Sequence, residues 1–150
     1  MKQGIVIGRD VGGLEGAASA DRPMAAFAEH LRIFEAGNAV HFAAALFRDS
    51  FNAPFPVPRE GVLPVPTPPE TWRQYVAVYR WPSGSEETVG FCNWIRHGDV
   101  YLQGGMCVSK TFYRRMPREH FRECRAAGGI AQLVMEQAAR ELIDCTAWFG

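Results

Sequence analysis

The sequence predicts an α+β domain in α/β/α layers, with helices packed on a mixed, mostly antiparallel sheet. Three observations carry this expectation. Between Trp72 and Val108 three runs rich in apolar, β-branched and aromatic residues follow one another with only turn chemistry between them, the pattern of an antiparallel meander. Two amphipathic stretches precede that meander, which predicts two N-terminal helices. A glycine-led main helix and a last apolar run, Cys145–Phe149, follow it. A strand, a crossover helix and a further strand place the last strand parallel to its neighbour.

Composition sets the bounds. The chain has 150 residues, enough for one domain with its own core. Hydrophobic residues make up 47% and charged residues 21%, the balance of a globular chain and not of a disordered one. Sixteen basic residues face sixteen acidic ones. That balance argues against a general nucleic-acid binder and against a polybasic membrane anchor. The apolar runs are shorter than a membrane helix requires. Ile5–Ile7 gives way at once to Gly8-Arg9-Asp10, unlike the apolar block of a signal peptide. The expected location is the cytoplasm. Cys92, Cys107, Cys124 and Cys145 show no CxxC spacing and are expected to be buried apolar fillers, with no metal site.

In chain order, residues 1–20 read as a flexible leader with scattered glycines, and 21–150 as the folded domain. Asp21 and Pro23 suit a helix start. Phe27, Leu31 and Phe34 recur at spacings of four and three, which predicts a helix running up to a stop at Gly37. Asn38 caps a second helix, from Ala39 to about Asp49, with Val40, Ala43, Ala44 and Phe47 inward. Seven of the ten prolines fall within 52–69, so that stretch is an extended loop.

The strands are expected at Trp72–Trp81, Thr88–Ile95 and Val100–Val108, with turns at Pro82–Ser85 and Arg96–Asp99. Gly104-Gly105 inside the third marks a bulge or a close backbone approach. Pro117–Ala127 reads as a helix with Phe121 and Cys124 on its inner side, ended by Gly128-Gly129. The main helix runs from Ile130 to about Asp144, burying Ile130, Leu133, Val134, Ala138 and Leu142.

The combination that points to chemistry is the apolar strand ending at Val108 with Gly128-Gly129 opening the main helix. Free amides at a helix N-terminus, with the helix dipole, favour a phosphate or pyrophosphate, and Arg125 can add a charge-assisted contact. The same glycines also suit a plain helix stop followed by a new helix.

The element order, together with Tyr101-Leu102-Gln103-Gly104-Gly105-Met106-Cys107-Val108 and Gly128-Gly129-Ile130-Ala131-Gln132-Leu133, resembles the GNAT-type N-acetyltransferase superfamily from about Met24 to Gly150. The resemblance implies an acyl-CoA N-acyltransferase fold and acetyl-CoA as cosubstrate. It places the cofactor on Cys107, Val108, Arg125, Gly128, Gly129, Ile130 and Ala131. The family pattern Gln/Arg-x-x-Gly-x-Gly/Ala fits in two ways. With Gly129-x-Ala131 at its end, Ala126 takes the Gln/Arg position; with Arg125-x-x-Gly128, Ile130 stands where a small residue is expected. The segment between Val108 and Gly128 is about twice the family's usual length, and the chain stops where the family's fifth strand would be, without the following helix and last two strands.

The chemistry so implied is acyl transfer from a thioester to the amine of a small molecule or a protein. It needs a general base with a pKa near the working pH and amide donors for the carbonyl oxygen. The catalytic residues stay unassigned. Glu87, His97 and Asp99 lie near the central strands, but turn residues of this kind are commonly just solvated, as are Glu86 and His120. His30 and His41 read as surface or packing residues. Cys107 lacks an adjacent His or Asp and reads as a buried thiol. Two alternatives stay open: a non-catalytic binding or assembly module, oligomeric through the apolar Trp148-Phe149 strand edge, and a sulfur-ligated metal site.

Overall fold

The computed structural model describes residues 26–55 and 72–150. One turn of helix, α1 (Phe27–His30), leads directly into strand β1 (Leu31–Glu35) and then helix α2 (Ala39–Phe51). Strands β2 (Trp72–Arg80), β3 (Glu86–His97) and β4 (Val100–Val108) follow. Helices α3 (Phe112–Arg115), α4 (Arg118–Ala126) and α5 (Gly129–Glu141) then lead to strand β5 (Ala147–Phe149). The five strands form one sheet in the order β1-β2-β3-β4-β5. Every pairing is antiparallel except β4 with β5, which is parallel. The fold is therefore mixed α+β with a mostly antiparallel sheet.

The meander forms for the local reasons given above. On β2 the side chains alternate: Tyr75, Ala77 and Tyr79 enter one cluster, Val76 and Val78 the other. On one face Ala39, Ala43 and Leu46 of α2 pack against Val76, Val78, Phe91 and Cys107. On the other Ile130, Val134 and Ala138 of α5, with Cys124 of α4, pack against Tyr75, Tyr79, Val89, Cys92 and Trp94.

Two bulges adjust this alternation. Ala77 pairs with Gly90 and Val78 with Thr88, so Val89 is the extra residue on β3. Asn93 pairs with Gly105 and Trp94 with Gln103, so Gly104 is the extra residue on β4. A Cβ on Gly104 would lie 2.8 Å from Ile95 Cδ1 and 2.9 Å from Asn93 Nδ2, so a side chain there would make those two side chains shift.

The structure corrects several expectations. Leu31 and Phe34 do not continue a helix from Phe27. They belong to β1, which pairs Leu31–Glu35 with Tyr79–Tyr75. The 4–3 spacing was compatible with a helix, but the same five residues also alternate, Leu31 and Ile33 toward one cluster and Phe34 toward the other. The edge of β2 then supplies hydrogen bonds that a four-residue helix cannot match. Among the described residues before the meander, α2 is the one helix longer than a single turn. Its buried residues are Ala39, Ala43 and Leu46, with Val40, Ala44 and Phe47 half-buried beside them.

An unexpected turn of helix, α3, precedes α4. The main helix ends at Glu141, short of Asp144, and the last strand begins at Ala147 instead of Cys145. The leader, the Asp21 helix start and most of the proline-rich loop lie outside the described residues.

Candidate functional site

The site is built where α4 turns into α5. Gly128 and Gly129 both take left-handed backbone angles, φ 89° and 87°, which glycine adopts without penalty. The turn closes with Gly128 N donating to Arg125 O at 3.1 Å. The first turn of α5 carries no acidic residue, and no side chain of its cap residue bonds an amide there. The first turn itself therefore places no carboxylate at its positive dipole end.

Tyr113 and the Cys124 sulfur both contact the Ile130 amide at this end. Ile130 N donates to the Tyr113 hydroxyl oxygen at 3.0 Å. A Cβ on Gly129 would sit 3.3 Å from the same oxygen. Burial raises the Tyr113 hydroxyl pKa, while the Ile130 amide acts in the opposite direction. A neutral phenol therefore occupies a position where an anionic oxygen would gain more from the helix end.

The sheet enters through Gly90. A Cβ there would lie 2.7 Å from Ile130 Cγ2, so α5 approaches β3 closely enough to require glycine. Gly90 is paired with Val108, which ties the end of β4 to the start of α5. Arg125, Gly128, Gly129, Ile130 and Ala131 thus stand together, with Val108 one strand away. Ile130 is fully buried, so only its backbone amide serves a site here. Cys107 points to the other face of the sheet, into the α2 cluster. Burial pushes its thiol up to about 11, so it is a protonated filler at neutral pH. Cys92 is likewise pushed up to about 11, and burial raises Cys124.

Beyond the bulge, Gln103 lies half-buried, donating from Nε2 to Cys92 Sγ at 3.5 Å and Met135 Sδ at 3.6 Å. Parallel pairing with β5 is confined to Val100–Leu102 among the described residues, before β4 reaches the bulge.

None of the weighed bases stands at the bulge. Glu87 accepts from Trp81 Nε1 at 3.0 Å and from Arg115 Nη2 at 2.5 Å. Glu86 meets Arg32 and Arg80. His97 is exposed beside the β3–β4 turn, and Asp99 accepts there from Thr146 Oγ1 at 2.7 Å. His41 is exposed, its ring edge-on to Phe42. His30 packs on Tyr79 and places Nδ1 2.6 Å from Arg80 O.

His120 overturns its expected solvation. It is fully buried, with Nδ1 2.5 Å from the Tyr79 hydroxyl. Its place at the third position of α4, beside Phe121 and Cys124, puts it on the inner face. The sequence reading also missed Tyr113. An aromatic residue with a polar tip, directly after the buried Phe112, was the available signal, but nothing local points it at Ile130.

Among the described residues no three His, Cys, Asp or Glu side chains form a metal-binding group. No helix among them is long and apolar enough to cross a membrane. Comparison with protein-family models, curated proteins and solved structures finds no match to this chain.

Proposed function

We propose that this domain is an acyl-CoA-dependent N-acyltransferase, moving an acetyl group from acetyl-CoA to an amine. The observation that carries the reading is the glycine-opened α5, free of first-turn carboxylates, set directly over the bulged strand pair β3–β4. The run β2-β3-β4, a crossover helix and a parallel β5 adds to it.

The residues present suit a diphosphate. Gly128 and Gly129 put no side chain at the turn, and the first-turn amides of α5 supply donors and dipole. Tyr113 must yield the Ile130 amide for that amide to serve the ligand. Arg125, exposed three residues before Gly128, adds a cation. The backbone of β4 around Gly104–Gly105 is exposed and offers amides near a thioester carbonyl. When bound, the cosubstrate supplies the activated acyl group. The chain's own part is to orient it and present donors to the developing oxyanion.

The test is thermal unfolding with and without acetyl-CoA. Ligand at ~100 times its dissociation constant adds about 2.7 kcal/mol, several degrees for a domain of this size. A shift that pantetheine without phosphates fails to give supports the assignment. No shift in folded protein overturns it.

A second reading, a non-catalytic assembly module, is favoured by the exposure of Leu102, Trp148 and Phe149 at 40%, 42% and 60%. It predicts an oligomer in light scattering coupled to size exclusion. A monodisperse monomer counts against it.

A further inference from the structure

We propose that the arginine stripe of α4, formed by Arg118, Arg122 and Arg125, is a phosphate-binding face that takes the 3′-phosphate at the nucleotide end of the acyl donor. The proposal rests on the acyl-CoA reading above. Spacings of four and three put the three side chains on one side of the helix, and all three are exposed. Like charges so aligned repel by a few tenths of a kcal/mol per pair.

No ion pair among the described residues offsets that repulsion. Arg32, Arg73, Arg80, Arg96 and Arg115 each meet a carboxylate. Among the described residues no ion pair includes Arg118, Arg122 or Arg125, nor their neighbours Lys110 and Arg114. From 110 to 125 six cations face two carboxylates, in a chain whose total is sixteen against sixteen. A bound polyanion turns this repulsion into attraction.

Position singles out the ligand. The Arg125 guanidinium lies 5.9 Å from the centre of the Phe121 ring. That ring is 6.4 Å from Tyr113, whose hydroxyl accepts from Ile130 N at 3.0 Å. Three contacts therefore join the stripe to the first turn of α5. From Arg118 to Arg125 it spans about 10 Å at 1.5 Å per helical residue. That length suits a phosphomonoester beside a diphosphate better than the longer track of a nucleic-acid strand, and the balanced net charge points the same way.

The test is calorimetric binding of acetyl-CoA and of its 3′-dephospho form to the full chain, wild type and R118Q/R122Q. The wild type is expected to prefer acetyl-CoA by about tenfold, the scale of one charge-assisted contact. The double variant is expected to lose that preference while binding the dephospho form as the wild type does. Circular dichroism of the variant reports that α4 is intact.

A preference that survives the double substitution, that is missing from the wild type, or that disappears through equal weakening of both ligands overturns the stripe assignment and leaves the acyltransferase reading standing. Folded wild type that binds neither ligand overturns both.

Discussion

The Tyr113 hydroxyl oxygen accepts a hydrogen bond from the backbone nitrogen of Ile130 at 3.0 Å, and so α3 caps the start of α5. Tyr113→Phe removes that acceptor. The unliganded protein is expected to lose about 1 kcal/mol of stability. The Ile130 amide then keeps the Cys124 sulfur, a weak acceptor, so on the acyl-CoA reading proposed above acetyl-CoA should bind the variant at least as tightly as the wild type. Calorimetric melting and titration check both; an unchanged melting temperature together with weaker binding would overturn this account of the cap.

Gly90 is the point where α5 approaches β3 without room for a side chain. A Cβ there meets Ile130 Cγ2 at 2.7 Å and the Ala77 Cβ at 3.2 Å. Gly90→Ala is expected to cost about 1–3 kcal/mol by overpacking. Urea unfolding should show a lower midpoint with an unchanged slope.

Arg73 joins three elements. Its Nε and Nη2 donate to Glu35 at 3.1 and 2.7 Å, and Nη1 donates to Glu141 O at 2.9 Å. Hydrogen bonding to Glu35 is the main reason its pKa is raised, so it stays charged. Arg73→Met is expected to cost about 1–3 kcal/mol and to release β1 first, since the pair with Glu35 clips that edge strand to β2. Hydrogen exchange should lose protection at Leu31–Glu35 before β3 is affected.

The thiols predict a pH limit. Burial holds Cys92 and Cys107 up to about 11. A folded-state pKa raised above the unfolded value favours the protonated form in the native protein. The stability linked to it is full below about pH 9 and is lost as pH rises toward 11. Denaturation midpoints should fall across that window, and less steeply in Cys92→Ala/Cys107→Ala. In the native protein near neutral pH, the partly exposed Cys145 should react with a thiol reagent ahead of the other three cysteines, which are buried.

The glycines of the candidate site were legible in the sequence because their reason is local. Gly128 and Gly129 serve backbone angles that two adjacent residues express by themselves. Gly104-Gly105 was legible as a bulge or a close backbone approach for a similar reason. Tyr113 was not, because its partner lies 17 positions away and is reached only after α4 has folded back. His120 was misread because flanking charges described the outer face of α4, whereas its own position faces Tyr79, 41 residues upstream. Which way the Cys107 side chain faces was not legible, because side chains alternate across a strand and the register that turns it to α2 is set by β3.

The sequence by itself determined the β2–β4 meander, the body of α2, and the succession of α4 and α5. Each follows from periodicity and turn residues within about a dozen positions. Only the tertiary structure decided that Leu31–Glu35 is a strand, that Val89 is bulged, that Gly104 and not Gly105 is the extra residue of β4, and which face Cys92 and Cys107 occupy. The physical reason is the same in each case. A strand's hydrogen bonds belong to a partner edge, here β2, which arrives some forty residues later in the chain. No local preference of Leu31–Glu35 encodes the presence of that edge.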